Sequence, residues 1–252
     1  MAGIEIWDYR SSLVNSPADF SSSIEYQIQV VVPDGYPEKG LYPVMFIGPV
    51  EGSPASYGDG LKVAKSLNVH NERQCILVSM TTKASQWYGP RSDGSSEIDV
   101  FLLNCLFPFV DQKYQTIKER NSRLWLGFSK SGWGGLSMML RHPESIGYFA
   151  GWDVPWTQPY SVFGPSYFGS PSLWANYNPQ SIIGSCLETI NDKKRVWIGA
   201  GHLWNSDYEN MSKVLTGLNV DFLSAFAETG VHDWLTPWMS VAVGALFTMR
   251  SG

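Results

Sequence analysis

The sequence predicts an α/β fold in which a mostly parallel sheet is covered by helices on both faces. Three observations support this prediction. Apolar runs rich in β-branched residues recur along the chain, helical spacing marks the stretches between the later runs, and no repeat or low-complexity linker interrupts the series. Because 252 residues with 44% hydrophobic side chains can bury a large core, we expect one domain over residues 1–252.

The apolar runs have the length and composition of strands. They cover residues 24–32, 42–48, 75–80, 123–128, 146–152, 195–201 and 221–228. A strand that is buried on both faces of a parallel sheet is apolar along its whole length, and the later runs have this character. The first strand, together with residues 24–32, is expected to join as an antiparallel extension.

Helical spacing appears in stretches between and after these runs, at residues 59–69, 97–114, 132–142, 207–218 and 232–250. Within 97–114 the apolar residues recur at intervals of three and four and predict one continuous buried face. That face consists of Ile98, Phe101, Leu102, Cys105, Leu106 and Phe109. Residues 154–190, rich in Pro, Ser, Gly and aromatics, break the alternation. We expect them to pass over the top of the sheet as a lid or pocket wall within the same domain.

Composition limits the classes of function. The formal net charge is −5 and Lys and Arg do not cluster, which argues against nucleic acid as a partner. No two of the four histidines have the HxH or HExxH spacing of a zinc site, so neither a metal nor another cofactor is expected. Cys75 and Cys105 lie in apolar runs, and with Cys186 they lack CxxC spacing. Buried free thiols are therefore favoured over a disulfide.

The ends of the chain predict no membrane partner. The start, MAGIEIWDYR, has no basic segment followed by an apolar stretch, so no signal peptide is expected. The longest apolar run near the end, VAVGALF, is too short to span a bilayer. A cytoplasmic location is the simplest expectation, although a secreted protein without its leader has the same features.

Residues 127–135, GFSKSGWGG, carry the main functional signal. They join the run at 123–128 to the helical stretch at 132–142, which is the strand–turn–helix setting of a G-x-S-x-G nucleophile elbow. Ser129 is therefore the expected nucleophile. Ser131 stands where the pattern has its second glycine, and it is small enough for a tight turn. The alternatives are a glycine-rich turn without a catalytic role, and Ser131 as nucleophile, which its place inside the first helical turn disfavours.

A nucleophilic serine needs a base to accept its proton and an acid to orient that base. His232 follows the last apolar run and precedes the C-terminal helix, where the base belongs in the chain order Ser, acid, His. A surface loop histidine is the alternative. Two acids compete for the remaining position. Asp153 directly follows the run at 146–152, and Asp207 follows the run at 195–201, although Asp207 also has the position of a helix N-cap. One of the two is expected to orient His232, and the other is structural.

The negative oxygen of a tetrahedral intermediate requires preorganised backbone N–H donors. Lys130, directly after the nucleophile, supplies the first. The second is expected from the loop after the run at 42–48. Because Pro49 has no N–H, Val50 or Glu51 is the candidate.

Tryptophans concentrate near the ends of the predicted strands. Trp87, Trp133 and Trp204 lie on loops at the expected catalytic edge. There they are candidates to contact the aryl, acyl or sugar group of a small-molecule ester. Burial in the core is the alternative for each of them.

With these motifs the chain resembles the branch of the α/β-hydrolase fold known as Putative esterase, and within it a little-characterised bacterial group. The branch includes feruloyl and acetylxylan esterases, S-formylglutathione hydrolase and enterobactin-type esterases. The resemblance extends over about residues 22–250 and rests on PVEG, on GFSKSGWGG followed by LSMMLRHPE, and on GVHDW. It implies an α/β-hydrolase domain that cleaves carboxylic esters through a Ser-His-Asp triad and an acyl-enzyme.

The chain departs from this pattern in three places. Ser131 replaces a glycine, the loop with PVEG lacks the HG or HGGG form, and residues 201–204 read GHLW where Gly-x-x-Asp is usual. The third departure leaves the identity of the acid open. These observations favour a serine esterase that acts on carbohydrate-linked or aryl esters. The alternatives are a non-catalytic binding protein on a hydrolase scaffold and an acyltransferase that uses the same serine.

Overall fold

The computed structural model describes residues 3–10, 25–51, 57–81, 87–93, 98–200, 203–227, 231–235 and 237–252. Within these residues, eight strands form one sheet in the order β1-β2-β4-β3-β5-β6-β7-β8. The strands are β1 (Glu5–Arg10), β2 (Glu25–Val31), β3 (Val44–Ile47), β4 (Ile76–Met80), β5 (Arg123–Phe128), β6 (Tyr148–Trp152), β7 (Val196–Ala200) and β8 (Phe222–Phe226).

Six of these strands run parallel to their neighbours, from β4 through β3 and β5 to β8. Strands β1 and β2 are added at one side by antiparallel pairing, β2 onto β4 and β1 onto β2. The predicted parallel sheet with an antiparallel extension is thus confirmed. The bounds of β1 were not predicted, because its sequence EIWDYR mixes charged and apolar residues instead of forming an apolar run.

The helices in the described part of the chain follow in order along the sequence. They are α1 (Gly60–Ser66), α2 (Val69–Glu72), α3 (Ile98–Phe101), α4 (Phe107–Lys113), α5 (Ser129–Arg141), α6 (Tyr160–Tyr167), α7 (Pro171–Tyr177), α8 (Pro179–Ile182), α9 (Leu187–Ile190), α10 (Asn205–Gly217) and α11 (Trp238–Ser251). The stretch at 154–190, expected as a lid or pocket wall, thus contains the short helices α6 to α9.

A single turn of π-helix, Leu102–Leu106, joins α3 to α4 and corrects one detail of the predicted buried face. A π-turn inserts one extra residue and rotates the following helix about its axis. After it, Phe107 and Val110 are buried, whereas Phe109 is only half-buried. The other five residues of the predicted face are buried as expected.

The core lies on both faces of the sheet. On one face, α3, α4, α5 and α10 pack together with the helices of residues 160–190. On the other face, α1 and α11 cover the parallel strands. Cys75 and Cys105 are buried and free, as predicted, and Cys186 is free and half-buried. No helix in the described residues combines the length and the apolar character that crossing a bilayer requires.

The parallel strands bring five loops to one edge of the sheet. The carboxyl ends of parallel strands share an edge, and in open α/β sheets ligands bind there. The loops that follow β3, β5, β6, β7 and β8 all begin at this edge. We call it the carboxyl edge, and it holds every residue proposed from the sequence for catalysis.

Prediction for the packing of α5 on β5. Gly135 faces Trp125, and a Cβ added at Gly135 would lie 2.0 Å from Trp125 Nε1. We expect Gly135→Ala to lower the free energy of unfolding by about 1–3 kcal/mol, because the buried indole must move. Gly244→Ala in α11 is the matched control, since its Cβ would meet nothing within 4 Å. It should raise the free energy of unfolding by about 0.5–1 kcal/mol. Urea unfolding measures both, and equal effects would contradict the prediction.

Candidate active site

The strand–turn–helix setting expected for Ser129 is confirmed. Strand β5 ends at Phe128 and α5 begins at Ser129. Ser129 has a φ of +51°, a left-handed conformation that is rare for a residue with a side chain. Such a conformation persists only where the surroundings enforce it, and it is often found at functional sites. The residue is 7% exposed, so its environment is largely formed by protein.

The turn can be this tight because Gly127 has no side chain. A Cβ there would lie 2.6 Å from both Gly132 N and Ser131 O. Ser131 also contributes: its Oγ donates to the carbonyl of Phe128 at 2.8 Å and accepts from the Phe128 N–H at 3.0 Å. The replacement of the usual glycine by Ser131 therefore adds two hydrogen bonds across the turn. Because Ser131 is fully buried and bonded in this way, the structure favours Ser129 over Ser131 as the nucleophile.

His232 and Asp153 meet at the carboxyl edge. The distance from His232 Nδ1 to Asp153 Oδ2 is 2.5 Å. Asp153 has no exposed surface, and its carboxylate also accepts the N–H of Trp204 at 2.8 Å and that of Leu203 at 3.3 Å. Asp153, like Ser129, has a positive φ, at +47°.

The His232 ring lies beside the elbow. Its centroid is 4.5 Å from the ring of Phe128, the residue before Ser129, and 5.4 Å from the ring of Tyr57. The loop that carries the histidine is anchored by two hydrogen bonds: Trp152 Nε1 donates to the carbonyl of Asp233 at 3.2 Å, and the N–H of Trp234 donates to the carbonyl of Tyr57 at 3.2 Å. These contacts hold the imidazole at the end of β5.

Asp207 is buried and has a different set of partners. Its Oδ1 accepts from the N–H of Thr157 at 2.7 Å and from Thr157 Oγ1 at 3.0 Å, and its Oδ2 accepts from Gln158 Nε2 at 2.6 Å. It ties α10 to the segment after β6. The interpretation of Asp207 as an N-cap is wrong, because α10 begins at Asn205 and the cap residue is Trp204.

The remaining histidines lie elsewhere or outside the described residues. His70 is buried in α2, and His142 ends α5 as its C-cap. Burial lowers the pKa of both imidazoles below the ordinary value. His202 is outside the described residues. In the described part of the chain, no three His, Cys, Asp or Glu side chains are grouped so that they could hold a metal ion.

The loop after β3 runs alongside the elbow. The N–H of Gly48 donates to the carbonyl of Leu126 at 3.1 Å, and Tyr88 Oη donates to the carbonyl of Pro49 at 2.6 Å. Among the described residues, no acceptor pairs with the N–H of Val50 or of Glu51. Either group is thus a candidate donor to a substrate oxygen, as the sequence suggested.

One contact between the loop after β3 and the elbow was not predicted from the sequence. The Nζ of Lys130 forms an ion pair with Glu51 Oε1. The side chains are 16% and 30% exposed, so the pair is partly shielded from water. The sequence offered a signal, a lone acid in one loop and a lone base in the other, but neither charge identifies its partner without the fold.

Two of the three candidate tryptophans lie in the core. Trp133 has no exposed surface and stacks on Trp174 at 5.0 Å, and Trp87 is 6% exposed and meets Trp133 edge-on at 5.3 Å. Neither indole presents an open face, because residues 160–190 cover them. Trp204 is half-buried, with its ring 6.1 Å from that of Phe163. Substrate contact remains a prediction for Trp204.

A cleft of about 260 Å³ adjoins the loop after β3. Its wall combines aromatic rings with polar side chains, and the residues that line it include Glu51, Tyr57, Gln29, Ser79, Thr81 and Trp234. Tyr57 lines the cleft and also contacts the His232 ring. The cleft and the His232 ring thus share Tyr57 as a neighbour, while neither Ser129 nor His232 is among the described residues that line the cleft.

The chain matches one protein-family model. The model carries the description Putative esterase and matches residues 21–217, which is more than half of the chain. No curated protein sequence matches.

Solved structures are similar over nearly the whole chain. FphF, a fluorophosphonate-binding serine hydrolase of Staphylococcus aureus, has a TM-score of 0.75 at 16% identity and covers 99% of this chain and 98% of its own. An S-formylglutathione hydrolase from Agrobacterium tumefaciens has a TM-score of 0.73 at 12% identity, with 99% and 95% covered. A ferulic acid esterase from Anaeromyces mucronatus has a TM-score of 0.63 at 16% identity, with 99% and 90% covered. At these identities the likeness shows the α/β-hydrolase fold.

Prediction for the turn at the elbow. Ser131→Ala removes both side-chain hydrogen bonds and leaves the buried N–H of Phe128 without its partner. We expect the free energy of unfolding to fall by about 1–3 kcal/mol. Ser212→Ala in α10 is the control, because Ser212 Oγ has no partner in the described part of the chain. Denaturant unfolding compares the two variants, and a neutral Ser131→Ala would mean that the side chain does not support the turn.

Proposed function

This chain belongs to the Putative esterase family and is a carboxylic ester hydrolase, and we propose that it works through a triad of Ser129, His232 and Asp153. The observation that carries the proposal is the 2.5 Å contact between His232 Nδ1 and Asp153 Oδ2 at the carboxyl edge, beside a serine in a left-handed elbow. An acid that binds one ring nitrogen leaves the other nitrogen to act as the base.

The reaction proceeds through an acyl-enzyme. His232 Nε2 accepts the proton of Ser129 Oγ as the oxygen attacks the ester carbonyl carbon. The tetrahedral intermediate collapses, the carbon–oxygen bond to the alcohol breaks, and the imidazolium returns its proton to the leaving alcohol. Water then attacks the acyl-serine with His232 again as base, which releases the acid and restores the serine.

The negative oxygen of each intermediate is held by backbone donors. The N–H of Lys130 stands in the first turn of α5, where the helix dipole favours negative charge. The N–H of Val50 or of Glu51 supplies the second donor. Removal of one such donor typically costs about 10²–10³ in kcat.

Asp153 is favoured over Asp207 as the acid on grounds of hydrogen bonding. Both oxygens of Asp207 are engaged by Thr157 and Gln158. The Oδ2 of Asp153 faces the imidazole, and the backbone donors of Leu203 and Trp204 hold the carboxylate in place. Asp207 then has a structural role.

The substrate that we propose is a small ester with an aryl or sugar group. Support comes from the cleft, where Tyr57 and Trp234 supply aromatic rings and Gln29 and Ser79 supply hydrogen-bonding groups. Rings combined with hydrogen-bonding groups suit a flat aryl group or a sugar ring. One relative of the same fold is named as a ferulic acid esterase.

Prediction for the nucleophile and base. A fluorophosphonate probe should add once to the wild-type protein and not at all to Ser129→Ala. His232→Ala should react about 10²–10⁴-fold more slowly, because the general base is lost. Ser212→Ala is the control and should react like the wild type. Intact mass spectrometry measures the adduct.

A folded wild-type protein that stays unlabelled would overturn the hydrolase proposal and favour a binding protein on this scaffold. Labelling together with product that forms only when an acceptor alcohol is present would instead indicate an acyltransferase.

Prediction for the acid. Asp153→Asn should lower kcat for p-nitrophenyl acetate by about 10³–10⁴, because an amide no longer holds the imidazole in the reactive tautomer. Asp207→Asn should keep kcat within a few-fold of wild type and instead reduce stability by about 1–3 kcal/mol, since it weakens charge-assisted hydrogen bonds. Steady-state kinetics and thermal unfolding of both variants test which aspartate is the acid. A large loss of kcat in Asp207→Asn, with little loss in Asp153→Asn, would assign the acid to Asp207.

A further inference from the structure

The ion pair between Lys130 and Glu51 joins the two segments that flank the reacting ester. Lys130 is the residue after the nucleophile, and Glu51 ends the described part of the loop after β3. The two residues are 79 positions apart in the chain. The pair therefore links the two segments that carry the proposed oxyanion donors.

We propose that this ion pair is a positioning device that keeps the two oxyanion donors at a fixed separation. The inference rests on the proposed function, because it assigns the Lys130 N–H and an N–H of the β3 loop to the same oxygen. Neither side chain reacts with the substrate. The ammonium and carboxylate instead hold the backbone of one segment against the other.

The other contacts of this loop show why such a device is required. The Gly48 N–H extends the sheet ladder to Leu126, and Tyr88 Oη holds the carbonyl of Pro49. Both hydrogen bonds are made by residues that precede Val50 and Glu51 in the chain. At Val50 and Glu51 the backbone has no hydrogen bond of its own to the described residues. The ion pair of the Glu51 side chain therefore restrains the loop at the proposed donors.

The burial of the pair suits this role. Exposed ion pairs contribute little, because water screens them and long side chains lose entropy on pairing. Here the Lys130 side chain is 16% and the Glu51 side chain 30% exposed, so screening is reduced. Displacement of catalytic groups by about 1 Å can cost about 10²-fold in rate, and even a modest restraint on the loop then affects kcat.

A direct electrostatic role for the Lys130 ammonium is the competing explanation. If the ammonium stabilised the oxyanion through its charge, Glu51 would partly cancel it. Neutralising Glu51 would then speed acylation, whereas neutralising Lys130 would slow it. A positioning pair predicts that both changes slow acylation by a similar factor, so the two explanations differ in the sign of one effect.

Prediction for the positioning pair. Lys130→Met, Glu51→Gln and the double variant are compared by kcat and KM for p-nitrophenyl acetate and by the rate of fluorophosphonate labelling. We expect each single variant to lose about 10-fold in kcat with little change in KM, as for a misplaced transition-state contact. The double variant should be no slower than either single variant, because both remove one interaction. Lys130→Arg, which keeps the charge, should retain most of the activity.

Lys194→Met is the matched control. It breaks another Lys–carboxylate pair, with Asp221 at 3.5 Å, at the opposite edge of the sheet, and it should leave kcat unchanged. Thermal unfolding of every variant separates misfolding from mispositioning. If Lys130→Met does not fold, Glu51→Gln and Lys130→Arg still provide the comparison.

Three outcomes would overturn the inference: wild-type rates in the single variants, losses that multiply in the double variant, or faster acylation by Glu51→Gln. In each of them the wild type is labelled at Ser129, and the proposed function stands. A wild type without labelling would remove the proposed function itself, so the two failures can be told apart.

Discussion

The close approach of α5 to β5 is the constraint on which the candidate site depends. The chain reverses from strand to helix at Ser129 in a left-handed conformation, which costs about 1–3 kcal/mol for such a residue. Gly127 leaves space for the turn, and Ser131 stabilises it with two hydrogen bonds to Phe128. Because the turn is this tight, the Ser129 side chain stands at the carboxyl edge and the Lys130 N–H lies in the first turn of the helix.

The second organising feature is the buried carboxylate of Asp153. It accepts hydrogen bonds from the chain after β7, through Leu203 and Trp204, and contacts His232 after β8. A buried charge is tolerated only when several donors surround it, so the folding of three loops and the orientation of the imidazole are coupled. The positive φ of Asp153 is a strained backbone conformation, and in it the side chain contacts both His232 and the chain after β7.

The aromatic residues divide between core and site. Trp87 and Trp133 pack beneath residues 160–190 and stabilise that face of the sheet. Tyr57 contacts the His232 ring and lines the neighbouring cleft. The substrate recognition that we propose thus falls mainly to the β3 side of the elbow. The ion pair between Lys130 and Glu51 lies on this same side, and the proposed donors Val50 and Glu51 also line the cleft.

The sequence by itself determined the parallel sheet, the elbow at Ser129 and the position of His232, because apolar periodicity, small residues in a turn and chain order are local properties. Only the tertiary structure placed Asp153 rather than Asp207 beside the imidazole. Both acids follow strands that end at one edge, and the choice depends on how separate loops fold against each other. The burial of Trp133 and the pairing of Lys130 with Glu51 are decided in the same way, since each depends on contacts between segments distant in the chain.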